Sequence, residues 1–327
     1  MRRTTAALAC LALVVLSTAA SDAARAQDTY PSKPIRFVLP QPAGGAVDLI
    51  ARSLGDRMSE SMRQPVIVEN QPGANGGLAA GQVMRATPDG YTLFMAVDTN
   101  LVVNPSLYPN LAYDPFRDFT PISVIAKIHL VLVASSKVEA NSVQELIALA
   151  KAEPGRLDYG SSGNGSTGHL ITETFLSQAG IRMTHVPFRG GSLAVQALAG
   201  GHVKMVIDGL PSFTAMQDGG RIRLLAITSA QRWPDLPDLP TVAEAGVPGF
   251  DMGSWVVLFA PTGTPQEVLT RFAAETTRAL ADPEVQARLR KVGALPAGGT
   301  PADAMRFHRA EHERWGAAVR ATGVKAD

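Results

Sequence analysis

The chain has a single cysteine, Cys10, among 327 residues. One thiol excludes an intramolecular disulfide and any metal site built from several cysteines. Charge of one sign is also lacking: 30 basic and 29 acidic residues leave a formal net charge of +1. No basic excess therefore marks a nucleic-acid partner. Long apolar runs are missing too. The run from Ala6 to Leu16 falls short of the roughly 20 residues a membrane-spanning helix needs, and nothing later is longer. Internal repeats and low-complexity tracts are absent.

The N-terminus combines Met1-Arg2-Arg3, that short apolar run, and Ala24-Arg25-Ala26. A charged start, an apolar middle and an A-x-A end predict an export signal, residues 1–26, cleaved near Ala26. A lipid-anchor reading of Cys10 is poor, because Ala7-Leu8-Ala9 is a weak approach and the apolar run continues past the cysteine. Cleavage removes Arg2, Arg3, Arg25 and Asp22, which takes 30 basic and 29 acidic residues to 27 and 28, a net charge of −1. The exported chain would carry no thiol, hence no cysteine nucleophile. About 300 residues fit two domains better than one.

Glycine-rich helix starts are abundant. Tyr159 to His169 contains Gly163, Gly165 and Gly168 in a G-x-G-x-x-G pattern, after the extended Leu157-Asp158-Tyr159 and before the apolar-periodic Leu170 to Ala179. Strand, glycine loop and helix aim backbone N–H groups at an anion. No acidic residue follows about 20 positions on, as a dinucleotide site requires. G-x-S-x-G is absent, so the loop is not a nucleophile elbow. The loop reads as a carboxylate or phosphate cradle, or as an ordinary tight turn. Pro42-Ala43-Gly44-Gly45, Asn75-Gly76-Gly77 and Phe188-Arg189-Gly190-Gly191-Ser192 repeat the device. Four such starts predict one cleft lined by several positive helix ends.

Strands are expected at Ile35–Leu39, Pro65–Glu69 and Tyr91–Met95, alternating with helices Val47–Ser59 and Leu78–Ala86. These apolar strands fit sheets covered on both faces, and the strand–helix alternation predicts mostly parallel pairing. Ile122 to Ala134 reads as one strand of about twice the usual length, passing between domains. Ser142 with Glu145 predicts a capped helix, Val143–Ala152. Further strands are expected near Leu157, Met183, Val203–Ile207 and Ile222–Ile227. Trp255–Phe259 is the return crossing, and helices finish the chain. Crossings near 127 and 252 divide it into residues 27–126 plus 252–327 and residues 127–251: two α/β lobes hinged around a cleft. Ligand would bind there, at the carboxyl ends of the strands.

Several segments carry a family resemblance: Tyr30 to Ile35, Pro42-Ala43-Gly44-Gly45-Ala46-Val47-Asp48, Val68 to Gly77, Asn104-Pro105-Ser106-Leu107-Tyr108, Tyr113-Asp114-Pro115, the 160–169 loop, Val186 to Gly191, Leu239 to Gly246 and Ala260 to Pro265. The chain resembles the Bug (tripartite tricarboxylate transporter) periplasmic solute-binding proteins over essentially its whole exported length. The resemblance implies a two-lobed, type II periplasmic-binding-protein fold, and the chain is expected to be a monomer. It further implies closure over a small carboxylated solute, then docking on membrane permease subunits, with no cofactor and no catalytic residue. By the same resemblance the ligand contacts would be Gly44, Gly45, Asp48, Ser161, Ser162, Ser166, Thr167, Phe188, Arg189, Gly190 and Asp208. Asn75 and Thr99 join them as candidates, at a helix start and a strand end. In two places the sequence departs from the family's habit: Val47 where Thr or Ser is common, and Phe188 where Tyr is common. Each removes a hydroxyl and points to a less polar acid.

Individual residues keep two readings. Asp48 is an acceptor for a ligand ammonium, hydroxyl or water, or a first-turn acid favoured by the helix dipole. Arg189 pairs a ligand carboxylate or anchors its own loop. His308-Arg309-Ala310-Glu311-His312 fits H-x-x-E-H, which places two histidines on one helix face as zinc requires, but a solvated helix face is the plainer reading and no metal site is expected. Two further functions stay open: an exported hydrolase using Ser162 or Ser166 with a histidine, and a ligand sensor docking on a signalling receptor.

Overall fold

The computed structural model describes residues 30–108, 110–213 and 219–324; the expected export signal lies outside them. Two sheets carry the architecture. The first holds β1 (Ile35–Leu39), β2 (Val66–Asn70), β3 (Thr92–Val97), β4 (Phe119–Ile128), β10 (Ser254–Pro261) and β11 (Ala294–Gly298), in the order β11-β4-β10-β3-β1-β2. The second holds β5 (Leu130–Ser135), β6 (Asp158–Ser161), β7 (Thr184–Pro187), β8 (Met205–Gly209) and β9 (Ile222–Ile227), in the order β7-β6-β8-β5-β9.

The central strands β1 and β5 are largely apolar because both of their faces are covered. Ile35, Phe37 and Leu39 of β1 enter one core cluster while Val38 enters another. Strand β5 behaves likewise, with Leu130, Leu132 and Ala134 on one face and Val131 and Val133 on the other. That is the period-two alternation of a strand with helices on both sides. One cluster is shared between the sheets and takes in Phe94, Trp255, Trp315, Leu132 and Phe175.

Pairing is mixed rather than mostly parallel. β1 runs parallel to β2 and β3, and β6 parallel to β7 and β8. β10 is antiparallel to β3 and β4, β11 to β4, and β5 to β8 and β9. Strands that carry the chain between sheets, or return from such a passage, enter from the opposite end. The strand–helix alternation could report only the βαβ halves.

The expected long strand is two strands broken at His129. Its backbone N–H bonds Gly293 O at 3.0 Å, one step past the Ala294–Ile128 pair of the β11–β4 ladder, and its Nδ1 meets Ser229 Oγ at 2.5 Å. The C-terminal part is also not purely helical. β11 pairs with β4 at the sheet edge, where Pro296 is tolerated although it reads as loop in sequence.

The helices that position the site are α1 (Ala46–Met62), α2 (Gly77–Met84), α3 (Val143–Ala152), α4 (Thr167–Ala179) and α5 (Gly191–Gly200). Ser142 caps α3 by accepting from Glu145 N, as its sequence predicts. Helices α6 (Gln266–Leu280), α7 (Pro283–Lys291) and α8 (Pro301–Thr322) close the chain. Thr300 and Asp303 form a reciprocal capping box on α8. No described helix is long and apolar enough to cross a membrane.

Candidate functional site: a cleft of helix starts without a cation

A cleft of about 770 Å³ opens between the two sheets. All four glycine-rich helix starts reach it: Gly44 and Gly45 before α1, Asn75 before α2, Ser162 to Gly168 before α4, and Ser192 in the first turn of α5. The caps of α1, α2 and α5 are glycines with no side-chain hydrogen bond to the helix. First-turn N–H groups at such ends are natural anion donors. Gly190, the α5 cap, has φ +116, a conformation that favours glycine. At α4 the cap is Ser166, whose hydroxyl accepts from His169 N at 3.3 Å. Gly168 lets α4 approach the sheet, since a Cβ there would lie 2.5 Å from Ile207 O.

Eight of the expected site residues line the cleft: Gly44, Gly45, Asn75, Thr99, Ser162, Ser166, Thr167 and Asp208. The structure gives the other five different surroundings. Asp48 is buried and receives Gly44 N, the Arg52 guanidinium through Nε and Nη2, and Asn70 Nδ2, each at 3.0 Å. These hydrogen bonds and the Arg52 charge outweigh burial and hold its carboxyl below the usual carboxylate range. Ser161 is 1% exposed and lies 2.7 Å from His185 Nε2. Phe188 packs beneath β6, where a Cβ on Gly160 would be 3.2 Å from its ring. Arg189 is exposed outside the lining, and Gly190 acts as the α5 cap.

Sequence reasoning missed Asp98, Ser254 and Ser192, all of which line the cleft. Asp98 is fully buried where β3 ends. Its carboxylate accepts from Ser254 Oγ at 2.7 Å and from Thr167 Oγ1 at 3.0 Å, so it joins the first sheet to the start of α4 across the cleft. Burial pushes its carboxyl up to about 6, against these hydrogen bonds. One signal was present: a lone acid directly ending the apolar run Leu93–Val97.

Among the described residues, no Lys, Arg or His lines this cleft. An anion held here would be bound by backbone N–H groups, hydroxyls and side-chain amides, facing two aspartates. Residues 50–324 match the family described as "Tripartite tricarboxylate transporter family receptor". The chain belongs to this family. It is 34% identical over 313 residues to Protein BugT of Bordetella pertussis, covering 95% of this chain and 96% of BugT. The solved structure of R. palustris Rpa4515 with adipate matches at TM-score 0.80 and 38% identity, covering 90% of this chain and 99% of that one. MatC (Rpa3494) from Rhodopseudomonas palustris with bound malate matches at TM-score 0.75 and 32% identity, covering 89% and 100%. The two-lobed α/β fold expected from sequence is the one these receptors share.

The receptor family is one of solute binders. The hydroxyl–imidazole pair in this region is Ser161 with His185, not Ser162 or Ser166, and Ser161 is buried outside the cleft lining. His185 is itself stacked between Tyr159 and His169, with ring centroids at 4.9 and 3.9 Å. The pair packs behind the cleft wall.

The H-x-x-E-H face of α8 is core rather than the solvated face expected. His308 is fully buried, stacks on Phe116 with centroids 4.5 Å apart, and has its imidazole pushed down to about 4 by burial. Glu311 accepts from the indoles of Trp255 at 3.0 Å and Trp315 at 3.2 Å. No group of metal-binding side chains forms among the described residues.

Proposed function

We propose that this receptor captures a small organic acid in the cleft and presents it to the membrane permease subunits of a tripartite tricarboxylate-type transporter. The observation that carries the reading is the convergence of four helix starts on one crevice whose described lining holds no cationic side chain. Helix N-termini and hydroxyls can hold a carboxylate without a salt bridge. Closure of the lobes would exclude water and strengthen each of those bonds. The adipate and malate held by Rpa4515 and MatC support a small carboxylate as the class.

In this reading Gly44, Gly45, Ser162, Ser166, Thr167 and Ser192 contact the acid. Asp48, Ser161 and Phe188 act behind the surface, and Arg189 anchors its own loop. The lobes comprise residues 27–126 plus 252–327 and residues 127–251, and the exported protein works in the periplasm as a monomer after cleavage near Ala26. Adipate, malate and aromatic acids at millimolar concentration should raise the denaturation temperature, because they bind the folded state selectively. A flat response across a broad carboxylate panel would overturn the reading. N-terminal sequencing of the exported protein checks the cleavage site.

A further inference from the structure

Asp208 stands in the cleft wall near the end of β8, opposite Val131 of β5. Its Oδ1 accepts from Gly209 N at 2.6 Å. Its Oδ2 lies against the first residue of α5, where a Cβ on Gly191 would come within 2.3 Å. The charged and titratable groups on the surrounding elements are few. Across the cleft is Asp98 of β3. On β7, His185 is engaged with Ser161. Arg189, before α5, is exposed outside the lining, and Lys204, before β8, donates to Gly201 O at 3.1 Å. From α4 the neighbour is Gly168, whose backbone packs on Ile207.

The N-terminus of α5 therefore has two claimants: the Asp208 carboxyl, which is already there, and the carboxylate of the captured acid. Two carboxylates sharing a site without a cation do not both stay ionised, and one takes up a proton. We propose that Asp208 is a specificity-determining residue that admits an acid in its own protonated form, so that capture is coupled to uptake of a proton. The balance is simple: ligand carboxylate plus ionised Asp208 plus one proton gives the ligand carboxylate accepting a hydrogen bond from the Asp208 O–H. This rests on the carboxylate reading above. Burial supports it by already pushing the Asp208 carboxyl above the ordinary carboxylate range, against the Gly209 hydrogen bond.

The same residue sets which acids fit. An acid without an ammonium group is held by neutral Asp208, whereas a zwitterion would pair its ammonium with ionised Asp208 and bind without a proton.

The test is calorimetric titration of the exported protein with adipate from pH 7 to 9, where adipate is essentially fully ionised, in buffers of different ionisation enthalpy. Uptake approaching one proton is expected, with affinity falling toward tenfold per pH unit at the alkaline end. Asp208→Asn, neutral and able to donate, should bind adipate with little dependence on pH. Adipate binding by the wild type with no proton uptake and flat affinity would overturn the proposal and leave the carboxylate reading intact. So would an Asp208→Asn protein that keeps its denaturation midpoint and loses adipate at every pH. Failure of every acid to bind the wild type at any pH would overturn both.

Discussion

The two walls of the cleft are built from the same device, a helix start behind a glycine turn, yet they differ in chemistry. The first-sheet wall presents Gly44, Gly45, Ala46, Val47 and Leu49, with Gln41, Asn75, Thr99 and Ser254 as its uncharged polar groups. The second-sheet wall presents the hydroxyls of Ser162, Ser166, Thr167, Ser192 and Ser212. Leu49 remains 46% exposed in the first turn of α1. An acid with an apolar body fits this asymmetry, with its charged head on the hydroxyl wall and its body along Val47 and Leu49. The missing hydroxyl at Val47 extends the apolar stretch that Ala46, Val47 and Leu49 form in the first wall.

The comparison can be broken first at the seam. Asp98 belongs to one wall and bonds Thr167 of the other. Its folded-state value of about 6 stands above the ordinary 3.8, so the folded chain holds this proton more tightly than the unfolded chain. The associated stability is complete below about pH 4 and is lost as pH rises through about 6. The full shift corresponds to about 3 kcal/mol. Asp98→Asn removes this dependence, so the stability difference between variant and wild type, measured by urea denaturation at several pH values, should favour the variant increasingly from about pH 4 to about 6 and level off above. A constant difference would mean that Asp98 titrates normally.

A smaller effect is expected at Gly168. Alanine there places a Cβ 2.5 Å from Ile207 O, a backbone atom that cannot swing away. Overpacking of this kind costs about 1–3 kcal/mol. The denaturation midpoint should fall, and because the start of α4 is pushed off β8, affinity for carboxylates should fall with it. Ser166→Ala follows, at about 1 kcal/mol for the lost cap. Ser166→Asp restores a cap but brings a negative charge to the hydroxyl wall, so it should recover stability without recovering carboxylate affinity. Recovery of both would show that the charged head sits elsewhere. Smallest is Leu49→Ala. Calorimetry should show adipate weakened by about threefold to tenfold, as expected for losing about one or two buried methylene contacts, with malate, a shorter and more polar acid, little changed. Equal losses for both acids would remove the apolar role of the first wall.

Much of the architecture was legible because it rests on local rules. Ile35–Leu39 and Ile222–Ile227 carry apolar patterns broken by one arginine each, Arg36 and Arg223, and Ser142 and Thr300 cap the helices that follow them. The break at His129 was not legible, because Ile122 to Ala134 is one continuous extended pattern and the residue that diverts it bonds Gly293, far away in the chain. The β11 edge was hidden by Pro296, which local rules assign to a loop. Candidates at helix starts were found because their glycines announce the backbone. Asp98 and Ser254 were missed because nothing beside them in sequence marks that they meet. Asp48 kept two readings in sequence because the partners that hold it, Arg52 and Asn70, are set beside it only by the fold.

The sequence by itself determined the elements, the glycine helix starts and, through composition, the lack of a disulfide or a basic surface. These follow from periodicity, capping and side-chain chemistry, which act over a few residues. The tertiary structure alone decided that the walls differ in polarity, that the H-x-x-E-H face of α8 lies among Trp255, Phe116 and Phe259, and that Asp98 and Asp208 line a cleft whose described lining holds no cationic side chain. Burial and electrostatic environment are set by groups brought together from distant parts of the chain, and no local pattern encodes which of them will meet.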